Sequence, residues 1–140
     1  MVVPKVLPGE HERAQPFWQA ANDGVLVVQR CSRCGSYAHP PRRVCVTCRA
    51  SDGELAMEPV SGRGSVASWV LAERAFLDVH RDDVPYVVVS VALDEQPDVR
   101  LLGTLVDGPE APLSLHAPVE VVFVEAAPGV TVPQWRLVTP

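Results

Sequence analysis

The chain has 140 residues, 47% of them hydrophobic and 21% charged, with a net charge of −5 and a pI near 5.3. This length supports one modest domain, with room for a small appendage, and a core that buries about two-thirds of the unfolded surface. The acidic balance argues against broad nucleic-acid binding, and no run approaches the roughly 18 apolar residues that span a bilayer.

From the N-terminus, Met1 to Arg13 carries Pro4, Pro8 and charged residues where a signal peptide would be apolar, which points to a cytoplasmic protein. Met1 to Ala14 has no period and reads as an extended or mobile arm. Gln15 to Asp23 (QPFWQAAND) reads as a short helix, with Pro16 in its first turn and Gly24 just past its end. Val25 to Gln29 is a short strand leading into a cysteine-rich knot, Cys31 to Cys48. Ala50 to Gly53 is a polar joint. From Leu55 onward Val-rich runs alternate with turn residues. The predicted strands are Leu55–Val60, Val66–Glu73, Tyr86–Leu93, Arg100–Val106, Val119–Glu125 and Gln134–Val138. Tyr86–Leu93 is almost continuously apolar, as suits a barrel wall. Trp69 and Trp135 fall within strands and are expected in the core. About five short strands in one domain is the scale of an OB barrel. The fold class is therefore mainly β, in three parts: arm and helix (1–24), a metal ribbon (25–53) and a five-stranded OB-type domain (54–140).

Cys31, Cys34, Cys45 and Cys48 have the spacing C-x₂-C, ten residues, C-x₂-C. Two intervening residues let both thiolates of a pair meet one ion, and two such knuckles supply four soft donors in a tetrahedron. In a reducing compartment this pattern is a metal site; paired disulfides would need an oxidising one. Four thiolates leave no position for water or substrate, so the ion is structural. Zn²⁺ and iron both fit. Gly35 follows the first pair and can turn backbone N–H groups towards the thiolates, whereas Arg49 follows the second.

Five of the twelve basic residues, Arg30, Arg33, Arg42, Arg43 and Arg49, lie around this knot, and no Asp or Glu occurs between Gly24 and Ser51. Part of that charge offsets the formal −2 of a divalent four-thiolate site. The guanidinium fork also suits phosphate, which points to coenzyme A or nucleic acid; the plainer alternative is charge compensation and solvated surface. Against nucleic acid, Tyr37 is the only aromatic residue near the patch. No phosphate-binding P-loop, nucleophile elbow or H-E-x-x-H pair occurs, and Gly62-Arg63-Gly64-Ser65 does not replace one. His80, Asp82 and Asp83 share a loop that reads as a solvated connection rather than as an acid–base site.

Phe17-Trp18, Val25 to Arg30, CSRCG, Pro40-Pro41-Arg42 and CVTC, followed by Ser61 to Val66, Pro85-Tyr86, LLGTLVD (Leu101 to Asp107) and Pro118 to Val121, together resemble the DUF35 family. The match covers roughly residues 15–138. Arg49 and Leu115-His116-Ala117-Pro118 depart from the glycines many relatives carry there. The resemblance implies an N-terminal helix, a rubredoxin-like zinc ribbon and an OB barrel. It also implies a non-catalytic accessory role beside a thiolase-fold enzyme (a thiolase, a hydroxymethylglutaryl-CoA synthase or a steroid side-chain aldolase), or a hydratase, helping to hold or channel a CoA thioester. The four cysteines carry over as metal ligands. Arg33, Arg42 and Arg43 are expected at the CoA phosphates on the charge argument alone, and Phe17, Trp18, Phe76 and His80 are expected to face the partner. No membrane association is expected.

Overall fold

The computed structural model describes residues 7–139. The first part of the expected N-terminal arm, residues 1–6, lies outside the described residues. Helix α1 (Gln15–Asn22) starts with Pro16 in its first turn, where a missing N–H costs nothing. It ends where Gly24 adopts φ +73° and the N–H groups of Asp23 and Gly24 bond the carbonyls of Ala20 and Ala21. Phe17 and Ala21, one turn apart, form its buried face. The Asn22 side chain accepts from the Thr131 N–H at 2.7 Å, fixing the helix to the far end of the chain.

Two antiparallel sheets follow. The first, ordered β2-β1-β3, joins β1 (Val27–Cys31), β2 (Tyr37–Ala38) and β3 (Leu55–Pro59). The second, ordered β6-β5-β4-β7-β8, joins β4 (Arg63–Ala72), β5 (Tyr86–Leu93), β6 (Arg100–Thr104), β7 (Pro118–Ala127) and β8 (Val130–Leu137). The five strands curl until the ends meet: Leu105, just past β6, bridges Trp135 of β8 in parallel, and the Val106 N–H donates to the Trp135 carbonyl at 2.8 Å. The order and this parallel closure are those of an OB barrel.

β5 alternates between half-buried and fully buried residues, with Val87, Val89, Val91 and Leu93 pointing into the barrel. They pack in one continuous core with Val66, Leu101, Leu105, Val119 and Trp135, which also takes in Phe17 of α1 and Leu26–Val28. A smaller cluster of Cys31, Cys45 and Ala50 sits apart from it.

Two expectations are corrected. The Leu55–Val60 segment does not open the barrel; β3 pairs with β1 along its length, from Val27↔Pro59 to Cys31↔Leu55, so it closes the ribbon. Trp69 is 40% exposed and not in the core. The reason is the reach of β7, which pairs with β4 only at Arg63–Ser65, so the second half of β4 is covered by β5 alone. A bulge between Val66 and Ser68 bends the strand away there.

Candidate metal centre and the adjoining cavity

The two knuckles repeat one local geometry. Gly35, at φ +80°, donates its N–H to the Cys31 carbonyl at 2.8 Å; Arg49, at φ +65°, does the same to the Cys45 carbonyl at 2.9 Å. Each turn therefore brings its two sulfurs to the same side. β1 delivers Cys31, and the Cys45 N–H is fixed to the Ala50 carbonyl at 3.0 Å.

All four Sγ atoms lie within 4.8 Å of one another, with Cys31–Cys48 at 3.7 Å and Cys34–Cys45 at 3.6 Å. The sulfurs of a tetrahedral Zn site with bonds of about 2.3 Å would stand about 3.8 Å apart, so the cradle has the size for such an ion. The thiols are not joined to one another. Without an ion they are electrostatically divided. Hydrogen bonds from Ser36 lead in holding Cys34 down to about 6. The Ala50 N–H pulls Cys48 down, but burial and the three other cysteines outweigh it and push that thiol up to about 11. An ion bound by all four has no open coordination position, so the centre can crosslink the ribbon but offers no site for chemistry.

Of the surrounding arginines, Arg30 is used structurally: its Nε donates to the Gly35 carbonyl at 3.0 Å, it pairs with Glu58 at 3.3 Å, and it lies over the Tyr37 ring. Arg33, Arg42, Arg43 and Arg49 are exposed, and among the described residues no carboxylate lies within ion-pair range of them. Arg42 is held by its backbone. The buried Gln29 amide donates to its carbonyl at 2.9 Å and accepts from its N–H at 2.8 Å.

The residues expected to face a partner are scattered. Phe17 is buried with its ring edge-on to Trp18 at 4.8 Å, and Trp18 is half-buried. Phe76 is 90% exposed. His80 is turned towards Asp83, Nδ1 to carboxylate 3.2 Å.

A feature the sequence did not disclose lies between α1, the His39–Pro41 segment and strands β6 and β8: a cavity of about 660 Å³ lined by Phe17, Trp18, Pro41, Leu102, Trp135 and others. His39 belongs to its wall. Its Nδ1 is buried without a hydrogen-bond partner, and burial lowers its pKa. The Pro40-Pro41-Arg42 landmark was a signal for this wall, but the cavity is assembled from segments more than ninety residues apart, which no local pattern announces.

Residues 18–54 match the rubredoxin-like zinc ribbon domain of ChsH2, and residues 57–124 match its C-terminal OB-fold domain. A DUF35 domain-containing scaffold protein of Methanocaldococcus jannaschii is 31% identical over 98 residues, covering 70% of this chain and 67% of that one. The chain belongs to the DUF35 family. A second relative of this DUF35 chain is a probable enoyl-CoA hydratase alpha subunit of Thermomonospora curvata, 33% identical over 133 residues. That match takes in 91% of this chain but only 39% of the relative's length. Among solved structures, a chain of an Ltp2-ChsH2(DUF35) aldolase superposes with a TM-score of 0.80 at 29% identity, over 93% of this chain and 98% of that one. A DUF35 protein of unknown function from Sulfolobus solfataricus superposes at 0.59 and 13% identity, over 90% and 85% of the two chains, and supports the fold alone. Mainly β architecture, zinc ribbon and OB fold are thus all DUF35 features. Among the described residues, no helix is long and apolar enough to cross a membrane.

Proposed function

We propose that this chain is a non-catalytic accessory subunit of an acyl-CoA-processing complex, binding a thiolase-fold enzyme or a hydratase and helping to hold or channel a CoA thioester. The observation that carries this reading is the likeness to a chain of an assembled aldolase over nearly the full length of both chains. Three features are in keeping with it. The ion of the four-cysteine centre, Zn²⁺ in this reading, is a staple with no open position; its reduced thiols suit a cytoplasmic protein. Arg33, Arg42 and Arg43 leave guanidinium groups free for the phosphates of CoA. The exposed side chains Trp69, Val70, Leu71 and Phe76 form an apolar stretch around the β4–β5 connection that suits a partner surface better than solvent. Nucleic-acid binding is the weaker alternative, because the Tyr37 ring beside the basic patch already has Arg30 stacked on it and is not free for a base.

The test is affinity purification of the tagged chain from its own cells, followed by turnover assays on what accompanies it. The expected result is stoichiometric recovery of a thiolase-fold or hydratase-fold enzyme whose activity on a CoA thioester falls when this chain is removed. Recovery of RNA or DNA with a steep salt dependence, or turnover by this chain alone, would overturn the proposal.

A further inference from the structure

The second half of β4 is an unprotected sheet edge. Beyond Ser65 no strand pairs with it on the side away from β5, and among the described residues the backbone bonds that segment 107–117 makes to it stop at Val66. Which groups are left over follows from the ladder. The Leu105 N–H donates to the Val87 carbonyl at 2.9 Å, so Val87 turns its backbone groups to the β6 side. Its antiparallel partner Leu71 therefore turns its own N–H and C=O away from β5. So does Trp69, two residues back, while Val70 between them faces β5. The side chains of Trp69 and Leu71 share a face with those of their partners Val89 and Val87, the face that looks into the barrel. They are 40% and 46% exposed because no strand closes the wall beside them. Sheet edges are ordinarily blunted by a charge or a proline, and residues 68–72 (SWVLA) have neither.

The same hairpin carries further apolar surface. Val70 is 61% exposed on the opposite face, and Phe76, Leu77 and Val79 are exposed in the connection to β5. With Trp69 and Leu71 these side chains approach the roughly 800 Å² that each side of a stable protein complex buries, more than a monomer ordinarily leaves in one patch. The rim is acidic: residues 73–83 hold four carboxylates (Glu73, Asp78, Asp82, Asp83) against two guanidinium groups (Arg74, Arg81), a net −2. Arg81 pairs with Asp78 and His80 with Asp83, whereas Glu73 and Asp82 have no ion-pair partner among the described residues. We infer that an extended apolar strand of the partner enzyme adds to this edge of β4. Its backbone exchanges hydrogen bonds with Trp69 and Leu71, its alternate side chains pack against those two residues and against Val70, and basic residues at its ends meet Glu73 and Asp82. This inference rests on the accessory-subunit reading above and gives the partner's contact segment its chemistry. A second copy of this chain offers the same edge, but each copy brings an acidic rim and a net charge of −5, which opposes the pairing.

Hydrogen exchange of the metal-loaded full chain, alone and bound to the enzyme recovered in the affinity purification, reads the edge directly. In the free chain the Trp69 and Leu71 amides are expected to exchange fast and the Val70 amide slowly. Binding should slow Trp69 and Leu71 by about tenfold or more. Two variants separate backbone from side chain. Leu71→Pro removes the unpaired N–H without touching the ladder to β5, and Leu71→Ala removes the side chain alone. The proline variant should bind the enzyme about fivefold more weakly than the alanine variant, the loss of one hydrogen bond. Glu73→Lys with Asp82→Lys should also weaken binding, most at low salt. Metal content and circular dichroism check that each variant is folded; where Leu71→Pro is not, the exchange pattern decides. An enzyme that binds and leaves Trp69 and Leu71 exchanging as before, or proline and alanine variants of equal affinity, overturns the inference while the accessory role stands. So does a chain that sediments as a dimer by itself and loses the dimer in Leu71→Pro, because the edge then belongs to a second copy. If the protected complex forms with a protein that does not act on CoA thioesters, the edge site survives and the accessory role fails. Recovery of no protein at all overturns both.

Discussion

Arg49 holds a left-handed backbone conformation, φ +65°, that the other knuckle assigns to Gly35. The hydrogen bond made there, N–H to the first cysteine's carbonyl, is the same in both turns, so the conformation is imposed by the knuckle and not by the residue. A side chain at such φ costs about 1–2 kcal/mol, part of which glycine returns as extra freedom in the unfolded chain. Arg49→Gly should therefore stabilise the metal-loaded protein by up to about 1 kcal/mol in denaturant titrations; a loss would mean that the guanidinium contributes more than the backbone strain costs. Cys45→Ser acts in the opposite direction. It removes one of four donors from a buried cluster whose other members are Cys31 and Ala50, so metal content should fall and the ribbon amides should lose exchange protection. A variant that keeps its metal would sink the ligand assignment. Proton release gives an independent check. At pH 7 Cys34, held at about 6, is already a thiolate, whereas Cys48, pushed up to about 11, is a thiol that must lose its proton to bind. Calorimetry at pH 7 in buffers of different ionisation enthalpy should register at least one proton released per ion, and affinity should weaken as pH falls, because protons compete for the same sulfurs.

At the scale of elements, the parts set by local pattern were legible in advance. The sequence marks α1 to within one residue and Tyr86–Leu93 at both ends, because helix punctuation and a continuous apolar run are local signals. Pairing is not local. Nothing in Leu55–Pro59 says that its partner is β1 of the ribbon and not a barrel strand, and nothing around Trp69 says that β7 stops covering β4 at Ser65. The same periodicity that puts Trp135 in the core leaves Trp69 at a sheet edge. Barrel closure was likewise invisible, although its device is in the sequence: Gly103 of β6. A Cβ at Gly103 would stand 2.7 Å from Cδ1 of the Trp135 ring, which is 1% exposed and has no room to retreat. The absence of a side chain is what lets β6 and β8 approach. Gly103→Ala should cost about 1–3 kcal/mol, seen as a lowered Tm. Unchanged stability would show that the indole shifts freely and that the closure is looser than the close approach implies.

Across the whole molecule, the ribbon and barrel share a core at one end and a polar clip at the other. Phe17 and Leu26–Val28 pack with the barrel strands, whereas the cysteine cluster forms its own small core, so the knuckle end of the ribbon depends on other ties. One of them is Gln96, in the turn between β5 and β6. Its Oε1 accepts from the Tyr37 N–H at 2.9 Å and its Nε2 donates to the Tyr37 carbonyl at 3.0 Å. A barrel side chain thus supplies both bonds that a neighbouring strand would make to β2, which otherwise pairs with β1 through only two residues. Gln96→Ala removes both bonds and leaves a partly buried N–H and carbonyl to find water, a loss of about 1–3 kcal/mol. The cost should be localised. Amide exchange at Tyr37 and Ala38 is expected to accelerate while β5 stays protected, and the four thiolates, which Gln96 does not touch, should keep their metal. If exchange quickens evenly throughout the protein, ribbon and barrel are one cooperative unit and the clip is only one of many equivalent contacts.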